Sequence, residues 1–124
     1  MHRSQFAGLI IDCKTDDLEA AADFWSAALG YPRQRDSEND LYVGLNTPKN
    51  EPYIEVQKVD HPSRVHLDIE ADDIEAEVKR LEALGAQRIG NVKNWCVMEA
   101  PSGQRFCIIP AESSNFAATA SEWG

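Results

Sequence analysis

The sequence predicts an α+β domain assembled from two βαβββ modules, and three observations carry that prediction. The first is the stretch Arg64 to Ala86, RVHLDIEADDIEAEVKRLEALGA, where a period-two run passes directly into a helical one. The second is an echo of that stretch: fifty-six residues upstream, Asp17-Leu18-Glu19-Ala20 repeats Asp73-Ile74-Glu75-Ala76, and Ile11-Asp12-Cys13 falls under Leu67-Asp68-Ile69. The third is turn punctuation after each helix, NTPKNEP in the first half and APSGQ in the second, set between strand-like runs. Two copies are too few for a solenoid, so the repeat reads as two equivalent modules within one domain.

In the first module Phe6 to Cys13 reads as a strand with Leu9, Ile11 and Cys13 on one face and Gly8, Ile10 and Asp12 on the other. Lys14 to Asp17 supplies a helix start, and Leu18, Ala21, Ala22, Trp25, Ala28 and Leu29 form an apolar stripe that stops at Gly30. Pro32 to Asp40 is a charged loop, followed by strands over Leu41 to Leu45 and Tyr53 to Val59. In the latter Tyr53, Glu55, Gln57 and Val59 share a face.

The second module opens at His61-Pro62-Ser63. From Val65 to Glu70, Val65, Leu67 and Ile69 alternate with His66, Asp68 and Glu70, placing three apolar residues beneath a helix and three polar ones on the opposite face. Asp72 reads as the N-cap with Glu75 three residues on, Ile74, Val78, Leu81 and Leu84 as the buried stripe, and Gly85 as the stop. Trp95 to Glu99 and Arg105 to Ile109 are strands joined by a turn whose Gly103 can take a positive φ. The expected organisation is one domain over 1–124, with module one about 5–60, module two about 61–111 and a surface tail at 112–124.

At 124 residues the chain can bury about two thirds of its unfolded surface as one core. Twelve basic residues against twenty-one acidic, a net charge of −9, exclude a nucleic-acid or anionic-membrane partner, because phosphate recognition needs clustered Lys and Arg. No apolar run approaches the length of a membrane span and no charged-then-apolar leader is evident. Three cysteines without a CxxC pair fit a reducing compartment. A cytoplasmic protein is expected.

With this order of elements, the segments DLEAAADFWSAALG, RVHLDIEADDIEAEVKRLEALGA and EAPSGQRFCII resemble the vicinal oxygen chelate superfamily of glyoxalases, bleomycin resistance proteins and extradiol dioxygenases. The likeness is strongest to its small glyoxalase-like domains. It covers residues 5 to 110 and implies a curled mixed sheet, the glyoxalase/bleomycin resistance/dihydroxybiphenyl dioxygenase fold. The resemblance further implies divalent-metal ligands on the first and last strand of each module, here Ile10, Glu55, His66 and Cys107. Isoleucine has no donor atom, and a soft thiolate beside a hard carboxylate suits Zn(II) better than Fe(II), Mn(II) or Mg(II). Asp12 and Asp68 extend the polar patch along their strands.

The resulting expectation is a glyoxalase-like protein that binds a small molecule in the cavity of the curled sheet, with a degenerate metal site. Glu55 and His66 are the catalytic candidates, and Tyr53, Gln57, Asp68 and Trp95 the ligand-binding ones. His66, Glu55 and Cys107 form a metal set of weak or absent occupancy. No cofactor is the favoured expectation, with Zn, Ni, Mn or Fe as the alternative. The alternative functions are a divalent-metal-dependent lyase, isomerase or dioxygenase, a metal-free acid–base enzyme, and an antibiotic-sequestering resistance protein. A homodimer is expected, since curled sheets of this size leave apolar surface for a partner to cover.

Overall fold

A computed structural model describes residues 1–34 and 40–124. The sequence-predicted charged loop from Pro32 to Asp40 therefore lies in part, over residues 35–39, outside the described residues. The strands are β1 (His2–Lys14), β2 (Tyr42–Leu45), β3 (Tyr53–Val59), β4 (Arg64–Ala71), β5 (Gln87–Val92), β6 (Trp95–Glu99), β7 (Arg105–Pro110) and β8 (Ser121–Trp123). Helices are α1 (Leu18–Leu29), α2 (Ile74–Ala83) and α3 (Phe116–Thr119). The sheet is mixed, in the order β2-β3-β1-β4-β7-β6-β5, with β8 beside β1. The chain divides into two compact units, Gly8–His66 and Met1–Ala7 with Leu67–Gly124, and β1 and β4 each contribute to both.

In the unit Gly8–His66, β1 pairs parallel with β3 and β3 antiparallel with β2. Register partners project to the same side of a sheet. Leu9, Ile11, Ile54, Val56, Val43 and Leu45 therefore share one face, and α1 lies against its β2 and β3 strands. Ile11, Ala22, Val43, Leu45 and Val56 are buried there. Helix α1 begins where the Asp17 side chain accepts from the Ala20 amide and ends at Gly30, whose φ of 78° is the left-handed conformation glycine adopts without a Cβ penalty. Only Arg33, bridged to Leu45, represents a further strand between α1 and β2 among the described residues.

In the unit Met1–Ala7 with Leu67–Gly124, β4 pairs parallel with β7, and β6 joins β7 to β5 in antiparallel fashion. The core is Ala71, Val78, Cys96, Met98 and Ile108, with Ile69, Ile74, Leu81 and Phe106 packed against it. Asp73 caps α2, its side chain accepting from the Ala76 amide, which corrects the expected cap at Asp72. The Asp72 carboxylate is engaged elsewhere, accepting from the Arg3 amide at 2.8 Å. Asp73 is the residue that the upstream echo aligns with Asp17, so the repeat located the cap better than the local motif did.

One expectation about β4 is also corrected. Val65 and Leu67 are 54% and 48% exposed instead of lying beneath a helix. Ile69 and Ala71, at the C-terminal end of the strand, join one core with Ile74, Val78 and Leu81 of the ten-residue α2. The tail carries α3 and β8, and most of its residues are exposed or half-buried. Glu70 accepts the amides of Glu112 and Ser113 and the Gln5 carboxamide, the Arg3 guanidinium donates to Ala117 and Ala120 carbonyls, and Trp123 lies opposite His2 on β1. β5 has no counterpart in the sequence reading, because its burial shows no alternation.

Candidate functional site

The face of the Gly8–His66 unit opposite α1 is polar, and its residues follow from the register. Gly8 stands beside Tyr53, Ile10 beside Glu55 and Asp12 beside Gln57, while Gly44 and Tyr42 of β2 pair with Glu55 and Gln57. A row of side chains thus crosses three strands at the level of Asp12. The Gln57 carboxamide donates to the Tyr42 hydroxyl at 2.9 Å. At the far end of the row the ring of His66 meets Asp12, with Nδ1 2.7 Å from Oδ2.

Both glycines on this face serve close packing. A Cβ at Gly8 would stand 2.5 Å from the Tyr53 carbonyl oxygen and 2.6 Å from its ring, so the tyrosine ring lies where a side chain would be. A Cβ at Gly44 would run into the Gln34 carboxamide, which covers that position.

Asp12 is the most enclosed charge on the face, at 2% exposure. Its Oδ2 faces His66 and, at 3.8 Å, the Arg64 guanidinium, while Oδ1 is buried with no hydrogen-bond partner among the described residues. An incompletely satisfied buried carboxylate is costly in a folded protein and marks a site where its remaining partner matters.

The equivalent face of the other unit carries Asp68 and Glu70 on β4, Arg105 and Cys107 on β7, and Trp95, Val97 and Glu99 on β6. Asp68 stands beside Cys107, Cys107 beside Val97, and Arg105 donates to Glu99 at 3.0 Å. Burial alone would raise the Glu70 carboxyl, but hydrogen bonds from Ser113, Gln5 and Glu112 outweigh it and hold the group below the usual carboxylate range. Glu70 is thereby an anchor for the tail.

The sequence-predicted residues fall as follows. Tyr53, Glu55 and Gln57 alternate along β3, with His66 in the same unit, bound to Asp12. Asp68 and Cys107 are strand partners in the other unit, where Trp95 sits on β6. Tyr42 and Gln34 were absent from the sequence reading. Tyr42 could be found only once β2 was registered on β3, since its partner Gln57 lies fifteen positions away.

Whether these residues suit a resident divalent ion is a question of donor chemistry. Of the four positions named by the resemblance, Ile10 beside Glu55 is an apolar side chain at 3% exposure, and Cys107 offers sulfur beside the Asp68 carboxylate. This set does not fit the nitrogen and oxygen shell that a hard divalent ion requires.

Residues 8–109 match the model of the glyoxalase-like domain. The chain belongs to this family, within the vicinal oxygen chelate superfamily. Its fold is similar to that of hypothetical protein BH1468 from Bacillus halodurans C-125, at 12% identity and a TM-score of 0.61 over 90% of this chain and 96% of that one. A Mn(II)-bound glyoxalase from Novosphingobium aromaticivorans gives the same identity and TM-score over 92% of this chain and 44% of its own. A methylmalonyl-CoA epimerase variant from Streptomyces coelicolor, in complex with 2-nitronate-propionyl-CoA, gives 13% and 0.54 over 86% and 98%. No curated protein matches the sequence. At such identities the likeness establishes the fold, and one scaffold hosts many activities. Among the described residues no helix is long and apolar enough to cross a membrane.

Proposed function

We propose that this glyoxalase-like domain binds a small molecule on the polar face of the Gly8–His66 unit, with metal occupancy weak or absent. The observation that carries the reading is the row Tyr42, Gln57, Asp12 and His66, cross-linked at 2.9 and 2.7 Å on a face where the first-strand ligand position is Ile10. Polar groups fixed before a ligand arrives lower the entropic cost of binding it. Glu55 and Tyr53, next along β3, extend the contact surface, and the family assignment makes small-molecule binding the expected use of such a face. Cytoplasmic residence as a homodimer belongs to the same proposal. Supporting it are three cysteines outside any disulfide and an outward face of α1 that leaves Phe24 62% exposed.

The test is calorimetry with Zn(II), Mn(II) and Ni(II), together with a small-molecule survey by chemical shift on the β3 amides. The expected outcome is weak metal binding and ligand-induced shifts at Glu55 and Gln57. Stoichiometric metal binding that His66→Ala abolishes would overturn it in favour of a divalent-metal-dependent lyase, isomerase or dioxygenase. That second reading is favoured by one observation, the Mn(II)-bound state of a glyoxalase sharing the fold.

A further inference from the structure

We propose that residues 112–119 form a strap that opens and closes over the Glu70 end of the polar face carried by the unit Met1–Ala7 with Leu67–Gly124, while β8 stays docked. The strap belongs to a different unit from the binding site proposed above, and its opening does not depend on that site.

The strap is a short run fixed at both ends. Before it, the Ala111 amide donates to the Ala71 carbonyl at 3.0 Å, continuing the ladder in which Ala71 pairs with Pro110. After it, Ala120 is buried and β8 pairs with the first residues of β1. The Trp123 indole donates to Ser4 at 2.8 Å, and the Arg80 guanidinium lies over the Trp123 ring. Between these anchors no residue from Glu112 to Thr119 is buried, and the one large apolar side chain, Phe116, is half-buried. Helix α3 adds little stiffness, since it has four residues and Asn115 makes no capping side-chain bond.

What closes the strap is polar. Glu70 Oε1 accepts the Glu112 and Ser113 amides, both at 2.9 Å. The Gln5 carboxamide donates to Glu70 Oε2 at 2.7 Å and accepts from the Thr119 hydroxyl at 2.6 Å, and Arg3 Nη1 donates to the Ala117 carbonyl at 2.8 Å. Opening exchanges each bond to the strap for one to water, whereas unfolding the unit gives up the core of Ala71, Val78, Cys96, Met98 and Ile108. Arg3 Nε is buried with no partner among the described residues while the strap is closed, and it gains water when the strap lifts. Segments with polar anchors and few buried apolar contacts are those that open below the free energy of global unfolding.

Opening changes what the face offers. Glu70, at 1% exposure, follows Asp68 on the same side of β4, so lifting the strap extends that face by a carboxylate and the Gln5 carboxamide. A small molecule seated against Glu70 supplies the N–H donors that Glu112 and Ser113 withdraw.

Hydrogen exchange followed by NMR on the unmodified protein tests this, with no ligand needed. The amides of Glu112, Ser113 and Thr119 should share one opening equilibrium, at least about a hundredfold more favourable than the one that exposes the β7 amides. The Trp123 indole N–H should stay protected while they exchange. Glu70→Gln, which removes the charge from both amide bonds, and Thr119→Ala, an exposed change that removes the bond to Gln5, should each speed strap exchange several-fold and leave the indole unmoved. Strap amides that exchange only with β7, that show unrelated equilibria, or that carry the indole with them would overturn the proposal, as would variants that leave their exchange unchanged. The unmodified protein decides the matter even if Glu70→Gln does not fold.

Discussion

Glu77 and His2 are joined by a buried bond, Oε1 to Nε2 at 2.8 Å, that ties the first residues of β1 to helix α2. The same carboxylate accepts from Arg80 Nε and Nη2 at 2.8 and 2.9 Å, and the Arg80 guanidinium in turn lies 3.8 Å over the Trp123 ring. Burial alone would raise the Glu77 carboxyl, but the bonds from Arg80, His2 and Ser4 outweigh it and bring the group to about 2.

That shift makes stability depend on acid. A carboxyl depressed from 4.5 to about 2 contributes stability that is fully present above its unfolded value and lost as pH falls through the folded one. Urea denaturation should therefore show the wild type losing up to about 3 kcal/mol from this group between about pH 4.5 and 2. Glu77→Gln should be less stable at neutral pH and show a flatter decline. Equal pH slopes for the two proteins would contradict the assignment.

Trp123 both stacks on Arg80 and donates from Nε1 to the Ser4 hydroxyl at 2.8 Å. Trp123→Ala should cost about 1 to 3 kcal/mol through the lost cation–π contact and hydrogen bond. Hydrogen exchange should locate the damage, with amides of β8 and the first residues of β1 losing protection while β6 and β7 keep theirs.

At Gly8 the ring of Tyr53 occupies the space of a side chain. Gly8→Ala should destabilise by about 1 to 3 kcal/mol as an overpacking change and shift the Tyr53 ring resonances. An unmoved tyrosine ring would show that the two do not pack as described.

Ile10→His would add a nitrogen donor beside Glu55. Calorimetry with Zn(II) and Ni(II) should then register a gain in affinity on the order of tenfold over the wild type. No gain would show that the polar face cannot gather donors around an ion even with a histidine at position 10.

Burial pushes the thiols of Cys96 and Cys13 up, which keeps both protonated at neutral pH. Both should react with iodoacetamide slowly in the native state and rapidly in urea, as peptide mass mapping would show.

Most of the helical framework was legible in the sequence, because a stripe such as Ile74, Val78 and Leu81, with an aspartate before it and Gly85 after it, has few other structural meanings. The turn at Ala100 to Gln104 was legible for a similar reason, since Gly103 adopts the positive φ of 94° that the turn demands. β5 was not, because Gln87, Arg88, Gly90 and Asn91 carry no hydrophobic period and form a strand only by pairing with β6. Nor was the exposure of Val65 and Leu67, since an alternating run marks which residues share a face but not which of them a helix covers. In the candidate site His66 and Glu55 stood out by residue type, whereas the role of Asp12 depends on a ring fifty-four positions away.

The irregularity in β5 bears on how this chain coexists with its own copies. Between Arg88 and Gly90 the ladder to β6 shifts, leaving Ile89 as an extra residue, and β5 is the last strand on its side. A straight outermost strand offers a row of amides and carbonyls on which a foreign strand can grow, whereas a bulge breaks the spacing of that row. Arg88, held by both oxygens of Glu75 at 3.0 and 2.6 Å, adds a charged obstacle at the same point. The exposed Ile89 and Val92 thus sit on a rim that resists filament growth, and straightening it by deleting Ile89 is expected to raise the aggregation rate of the folded protein, as light scattering over time would reveal.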